Sequence, residues 1–164
     1  MLYKASYTSI VGTIELFSDG ISLTGLFLPK QRKNIIEEPL DGSGLFIIQQ
    51  TRTWLDLYFS GHNPSFSPHL SFSGTPFQHK VWQILKTIPY GQVVTYGEIA
   101  RLLAKDSPSQ KMSAQAVGQA VSANPISIII PCHRVIGARQ NLTGYAGGLD
   151  AKRTLLKIEG VSIL

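Results

Sequence analysis

The sequence predicts an α+β chain in two parts: a small antiparallel sheet with one helix, followed by a mostly helical second part. Three observations predict it. Short alternating runs broken by turn signals fill the first 28 residues. A stretch rich in Pro, Ser and Gly, Asn63 to Gly74, has no periodicity and reads as a linker. After it, helix-start signals recur ahead of apolar stripes.

Tyr3–Tyr7, Thr13–Phe17 and Ile21–Leu28 alternate as strands do, and Ser18-Asp19-Gly20 marks a tight turn between two of them. A meander is expected. Pro29 to Pro39 is charged and reads as loop. Ser43 to Ser60 carries Leu45, Ile48, Leu55 and Phe59 near helical spacing, so an amphipathic helix is expected, with Gly61 past its end. The predicted domains are therefore residues 1–74, linker included, and 75–164.

In the second part, Thr75-Pro76 supplies an N-cap and a first-turn proline ahead of Phe77, Val81, Leu85 and Ile88. Pro89-Tyr90-Gly91 ends that helix. Thr95-x-x-Glu98 is a capping box before Ile99, Leu102 and Leu103. Ser113 caps a short helix with Ala116, Val117, Ala120 and Val121, stopped at Asn124-Pro125. Two short helices joined by a turn in a basic region suggest a helix-turn-helix. Ile128-Ile129-Ile130 reads as a buried strand or extended segment. Leu149 to Glu159 is a last amphipathic helix closed by Gly160.

Composition limits the chemistry. Residues 1–74 carry a net charge of −1 and residues 75–164 a net charge of +6, which favours a polyanionic partner for the second part. One cysteine excludes an internal disulfide and a multi-cysteine zinc site, and fits a reducing compartment. The first residues lack the pattern of a signal peptide, and no apolar run approaches the ~18 residues of a membrane helix. The expected location is cytoplasmic, with no membrane partner.

That single cysteine, Cys132, lies in Pro131-Cys132-His133-Arg134-Val135. A free cysteine is most often a small buried hydrophobe. Here Pro131 stops regular pairing, and His133 and Arg134 follow at once. Neighbouring cations favour the thiolate, the reactive form. A cysteine beside a histidine first suggests acyl transfer by a cysteine hydrolase, with His133 as base, reached through a water because adjacent residues point apart, and Glu159 as its orienting acid. Gly144 to Gly148 suggests a close backbone approach to a ligand.

The pentapeptide resembles the active-site motif of the O6-alkylguanine-DNA alkyltransferases. The likeness extends in order through Phe77–Leu85, Pro89-Tyr90-Gly91, Val94 to Ala100, Ala116-Val117-Gly118, Asn124-Pro125, Tyr145 to Leu149 and Lys152 through Gly160. It covers about residues 75–160 closely. Residues 1–74 resemble the family's N-terminal domain only in outline.

The resemblance implies a ribonuclease-H-like first domain and a winged-helix, helix-turn-helix second domain. It implies single-turnover transfer of an alkyl group from guanine O6, with O4-alkylthymine a further substrate, to Cys132 without cofactor or metal. By that resemblance His133 is the base, Glu159 holds its tautomer, Asn124 is a hinge, and Tyr96 helps extrude the nucleotide and bonds guanine N3. Tyr145, Val135, Ala146 and Lys152 form the base pocket. Ser113, Ala114, Gln115, Gly118 and Arg134 meet DNA, with the second helix of the pair in the minor groove. The implied partner is double-stranded alkylated DNA, bound by a monomer, with cooperative assembly left open. A non-catalytic binder of alkylated DNA, or a helix-turn-helix regulator, is the alternative. The chain departs from the family at Gln115, where arginine is usual, and at Ala146, where some members carry serine. The zinc ligands of some members have no counterpart among His62, His69, His79, His133 and Cys132.

Overall fold

The computed structural model describes residues 1–142 and 144–162. The chain divides into two compact units: residues 1–73 with 125–127, and residues 74–124 with 128–164.

In the first unit, β1 (Tyr3–Ser9), β2 (Gly12–Ser18) and β3 (Leu23–Phe27) form the expected antiparallel meander. Asp19 closes the turn after β2, its carboxylate accepting from the Ile21 and Ser22 amides at 2.9 and 2.7 Å. Gly20 sits there at φ 104°. A fourth strand, β4 (Leu40–Asp41), pairs in parallel with β1, giving the order β3-β2-β1-β4. Nothing in its two residues signals it; pairing with an existing edge makes the strand.

Helix α1 (Phe46–Phe59) packs across β1, β2 and β3. Its buried face is Ile47, Ile48, Thr51, Trp54, Leu55 and Tyr58. Leu45, expected in the stripe, is the N-cap, and Phe59 lies off the buried face and stacks on Tyr7 at 6.0 Å. After α1, the Gly61 amide donates to the Tyr58 carbonyl and the His62 amide to the Leu57 carbonyl, with Gly61 at φ 91°. This is a Schellman stop, which a Cβ at position 61 would strain. Fully buried Ile14, Leu16, Leu23, Leu26, Ile48 and Leu55 form the core, each stabilising by roughly 2–3 kcal/mol.

The segment read as a linker is partly sheet edge. Leu70 bridges Leu23 in parallel, the Leu23 amide donating to the His69 carbonyl and the Ser71 amide to the Leu23 carbonyl. Ile126 likewise bridges Leu26. The extended reading of Ile128-Ile129-Ile130 is corrected: these residues form a turn, and Ile128 has φ 70°. A β-branched residue there costs about 1–3 kcal/mol. Ile126 finds a strand partner; Ile128 and Ile130 are buried, yet the run bends instead of pairing.

In the second unit, α2 (Pro76–Lys86) and α3 (Tyr96–Ala104) both begin with complete capping boxes, Thr75 with Gln78 and Thr95 with Glu98. Helix α4 (Ala114–Ser122) is capped by Ser113, whose hydroxyl accepts from the Ala116 amide at 3.0 Å. Both α2 and α3 pack on α4, and buried Trp82 donates from Nε1 to the Ala120 carbonyl at 2.9 Å. A short parallel pair, β5 (Val94–Thr95) with β6 (Val135–Ile136), escaped the sequence reading. Helix α5 (Leu149–Ile158) ends at Gly160, φ 80°, in a second Schellman stop. Among the described residues, no helix is long and apolar enough to cross a membrane.

Candidate active site

Cys132 opens a 3-10 turn, Cys132–Arg134, that runs directly into β6. Two donors hold the carbonyl of Ile130, two residues earlier. The Asn124 side-chain amide and the Cys132 amide both reach the Ile130 oxygen at 2.8 Å. Asn124 is 2% exposed, so its bond is made away from water and fixes the turn firmly. The β5–β6 pair sets the other side, because Thr95 opposes Ile136 and Tyr96 follows at once as the first residue of α3. Cys132 Sγ lies 3.6 Å from the Tyr145 hydroxyl, and the residue is 3% exposed. A reacting partner must therefore project into the protein to reach it.

The adjacent turn residues point into a buried charge cluster. His133 is fully buried, with Nε2 2.5 Å from Glu159 Oε2. Arg134 Nε donates to Glu159 Oε1 at 2.8 Å, and the Gly91 amide donates to the same oxygen at 3.0 Å. Burial pushes the Glu159 carboxyl up, but the hydrogen bonds from His133 and Arg134 and the Arg134 charge outweigh it and hold the group at about 2. For His133, burial is the larger influence and lowers its pKa, against the opposing pull of Glu159. We therefore assign a neutral imidazole that donates from Nε2 to an ionised carboxylate. That tautomer puts the basic lone pair on Nδ1.

Arg134, expected against DNA, is bonded within the protein. It is 9% exposed, its Nη1 donates to the Ile88 carbonyl at 2.7 Å, and its guanidinium lies 5.8 Å from the Tyr90 ring centre. A buried guanidinium needs a countercharge, and Glu159 supplies it. Gly91, Ile88 and Tyr90 were not singled out as site residues. The Pro-Tyr-Gly signal that identified their turn says nothing about the carboxylate they meet.

Lys152 is fully buried, its ammonium donating to the Val135 carbonyl and lying 5.9 and 5.7 Å from the ring centres of Tyr96 and Tyr145. Burial lowers its pKa to about 8, and the charge of Cys132 works the other way. Tyr96 is half-buried, its phenol pKa raised by burial and then by Cys132. Gly118 on α4 faces this ring: a Cβ there would stand 3.8 Å from Tyr96 Cε1. Ala146 is half-buried in the segment that leads to α5. Cys132, His133, Glu159, Asn124, Tyr96, Tyr145, Val135 and Lys152 thus form one connected cluster. Ser113, Ala114 and Gln115 stand apart from it on the exposed start of α4. Among the described residues, no group of three His, Cys, Asp or Glu side chains could hold a metal ion.

A family profile described as the DNA-binding domain of 6-O-methylguanine DNA methyltransferase matches residues 76–161. The methylated-DNA–protein-cysteine methyltransferase of Methanosarcina acetivorans is 42% identical over 161 residues, covering 97% of this chain and 99% of the relative. The chain belongs to the methylated-DNA–protein-cysteine methyltransferase family. The Haemophilus influenzae methyltransferase is also 42% identical, over 98% of this chain and 87% of its own length. Among solved methyltransferase structures, that of the Mycobacterium tuberculosis protein in complex with DNA superimposes with a TM-score of 0.83. It is 39% identical, over 96% of this chain and 92% of its own.

Proposed function

We propose that this protein repairs double-stranded DNA by moving the alkyl group of O6-alkylguanine onto Cys132, once per molecule. The observation that carries the reading is the placement of Cys132 at the start of a turn whose next residue is a buried histidine bonded to an ionised Glu159. His133 Nδ1 takes the thiol proton through a water. The thiolate attacks the alkyl carbon, an S–C bond forms, and the C–O6 bond breaks with its electron pair leaving on the base. Tyr96, bonded to guanine N3, offsets the charge that develops there. The thioether has no hydrolytic exit, which ends the reaction after one turnover.

The low exposure of Cys132 supports extrusion of the base. A stacked base does not reach the sulfur of a residue that is 3% exposed, whereas a flipped one enters a pocket. We assign the exposed start of α4, with Ser113, Ala114, Gln115 and Gly118, to the minor groove, where small side chains permit close approach. Tyr145, Val135 and Ala146 form the wall for the base. In this reading residues 1–74 are a ribonuclease-H-like domain and residues 75–164 a winged-helix domain that binds DNA and accepts the alkyl group. The protein acts in the cytoplasm as a monomer, with cooperative assembly along DNA a further expectation.

The test mixes the protein with duplex DNA containing O6-methylguanine and reads the intact mass. One CH₂, about +14 Da, is expected on the Cys132 peptide of each chain, with no second turnover. DNA binding without an adduct identifies a non-catalytic binder, and repeated turnover identifies a hydrolase.

Gln115 allows a second expectation. An amide stacks less well than a guanidinium and carries no charge, so it fills the space of an extruded nucleotide less effectively. Gln115→Arg is expected to raise the rate on duplex DNA by roughly 10-fold, the scale of one good polar base contact. The rate on free O6-benzylguanine stays unchanged. Equal responses of the two rates would show that residue 115 acts on the chemistry and not on extrusion.

A further inference from the structure

The three residues immediately after Asn124 are held by a side chain from a distant stretch of the chain. Pro125–Ser127 lie along β3: the Leu26 amide donates to the Pro125 carbonyl at 2.9 Å, and the Ser127 amide to the Leu26 carbonyl at 3.0 Å. Gln31 then closes over them. Its side-chain oxygen accepts from the Ser127 hydroxyl at 2.9 Å and from the Leu28 amide at 2.7 Å, while its main-chain N–H donates to the Leu28 carbonyl. Ser127 is fully buried and Gln31 is 8% exposed, so these bonds are made out of water, where an alternative partner is scarce. Gln31 comes from the stretch the sequence offered only as a charged loop.

Ile128 comes next, with its left-handed φ of 70°. A β-branched residue stays in that region only where both of its flanks are fixed. One flank is the Gln31–Ser127 bond. The other is the Ile130 carbonyl, held by Asn124 and by Cys132. Between the clasp and the sulfur there are five residue steps.

We propose that Gln31, acting through Ser127, is a positioning residue for alkyl transfer: it fixes the entry of the active-site segment and so the place of Cys132 Sγ relative to the alkyl carbon. This rests on the alkyl-transfer reading above. Displacements on the order of 1 Å cost up to about 100-fold in rate where a nucleophile must meet its target in line.

The experiment follows single-turnover transfer from O6-benzylguanine to the full-length chain. Gln31→Leu, Ser127→Ala and the double variant are compared with the unsubstituted protein. Each single variant is expected to lower the maximal rate constant by roughly 10- to 100-fold with little change in the half-saturating concentration. The double variant is expected to be no slower than the slower single one, because both remove the same bond. A merely structural role would lower the fraction of chains alkylated and leave the rate constant of the folded fraction unchanged, which overturns the proposal. So does a double variant slowed by the product of the single effects. Should Gln31→Leu fail to fold, Ser127→Ala, smaller by one oxygen, decides alone. No adduct on the unsubstituted protein overturns the alkyl-transfer reading and the clasp with it. Normal transfer by both the unsubstituted protein and the variants overturns the clasp alone.

Discussion

Glu159→Ala is expected to cost about 3–5 kcal/mol, the usual loss when one partner of a buried ion pair is removed. The carboxylate has three clients: the buried His133 imidazole, the buried Arg134 guanidinium and the half-buried Gly91 amide. Its removal strands a cation that is 9% exposed. Against a total of roughly 5–15 kcal/mol, this brings the chain close to unfolding at ordinary temperature. Denaturant melts check it, and a loss below about 1 kcal/mol would show that the cluster is not the brace described here.

Acid should act on the same group. The folded pKa of Glu159 is depressed to about 2 from an ordinary 4.5, so its contribution is complete above 4.5 and drains away as pH falls toward 2. That contribution is on the order of 3 kcal/mol. His133 adds to the loss. Its folded pKa lies below the ordinary 6.5, so holding it neutral begins to cost stability as pH falls through 6.5. Both effects have the same sign. Glu159→Gln keeps the shape and removes the titration, so its stability should be flatter than that of the parent between pH 4.5 and 2.

Lys152→Ala is expected to lose about 2–5 kcal/mol, because it empties the space of a fully buried stem and removes the bond to the Val135 carbonyl. Lys152→Met fills the same space without a charge. A folded pKa of about 8 against an ordinary 10.5 means that the buried ammonium is held at a cost. The unfolded chain binds more protons between those values, so this group makes stability rise from pH 8 to 10.5. Met removes that cost while orphaning one carbonyl, and the two nearly offset. It should therefore be far more stable than Ala at pH 7 and lack the alkaline rise. Alkyl transfer should slow in both variants, since the sulfur loses a neighbouring cation. Equal destabilisation by Met and Ala would assign the stability to the ammonium–carbonyl bond and not to the stem.

What the sequence determined by itself is local. Capping at Thr75, Thr95 and Ser113, and the glycine stops at 61 and 160, depend on hydrogen bonds within a few residues and are legible for that reason. The motif around Cys132 and the likeness through Gly160 pointed to Cys132, His133 and Glu159, and the three lie in one connected site. Pairings across long stretches of chain were left to the tertiary structure. It made β4 from two residues, turned Arg134 inward to Glu159, set the Gly91 amide on the same carboxylate, and bent Ile128 where the isoleucine run suggested an extended segment. The Arg134 and Gly91 contacts satisfy a carboxylate that distant segments bury. A residue's own neighbours in the chain carry no record of such a need, because burial is created only when distant segments meet.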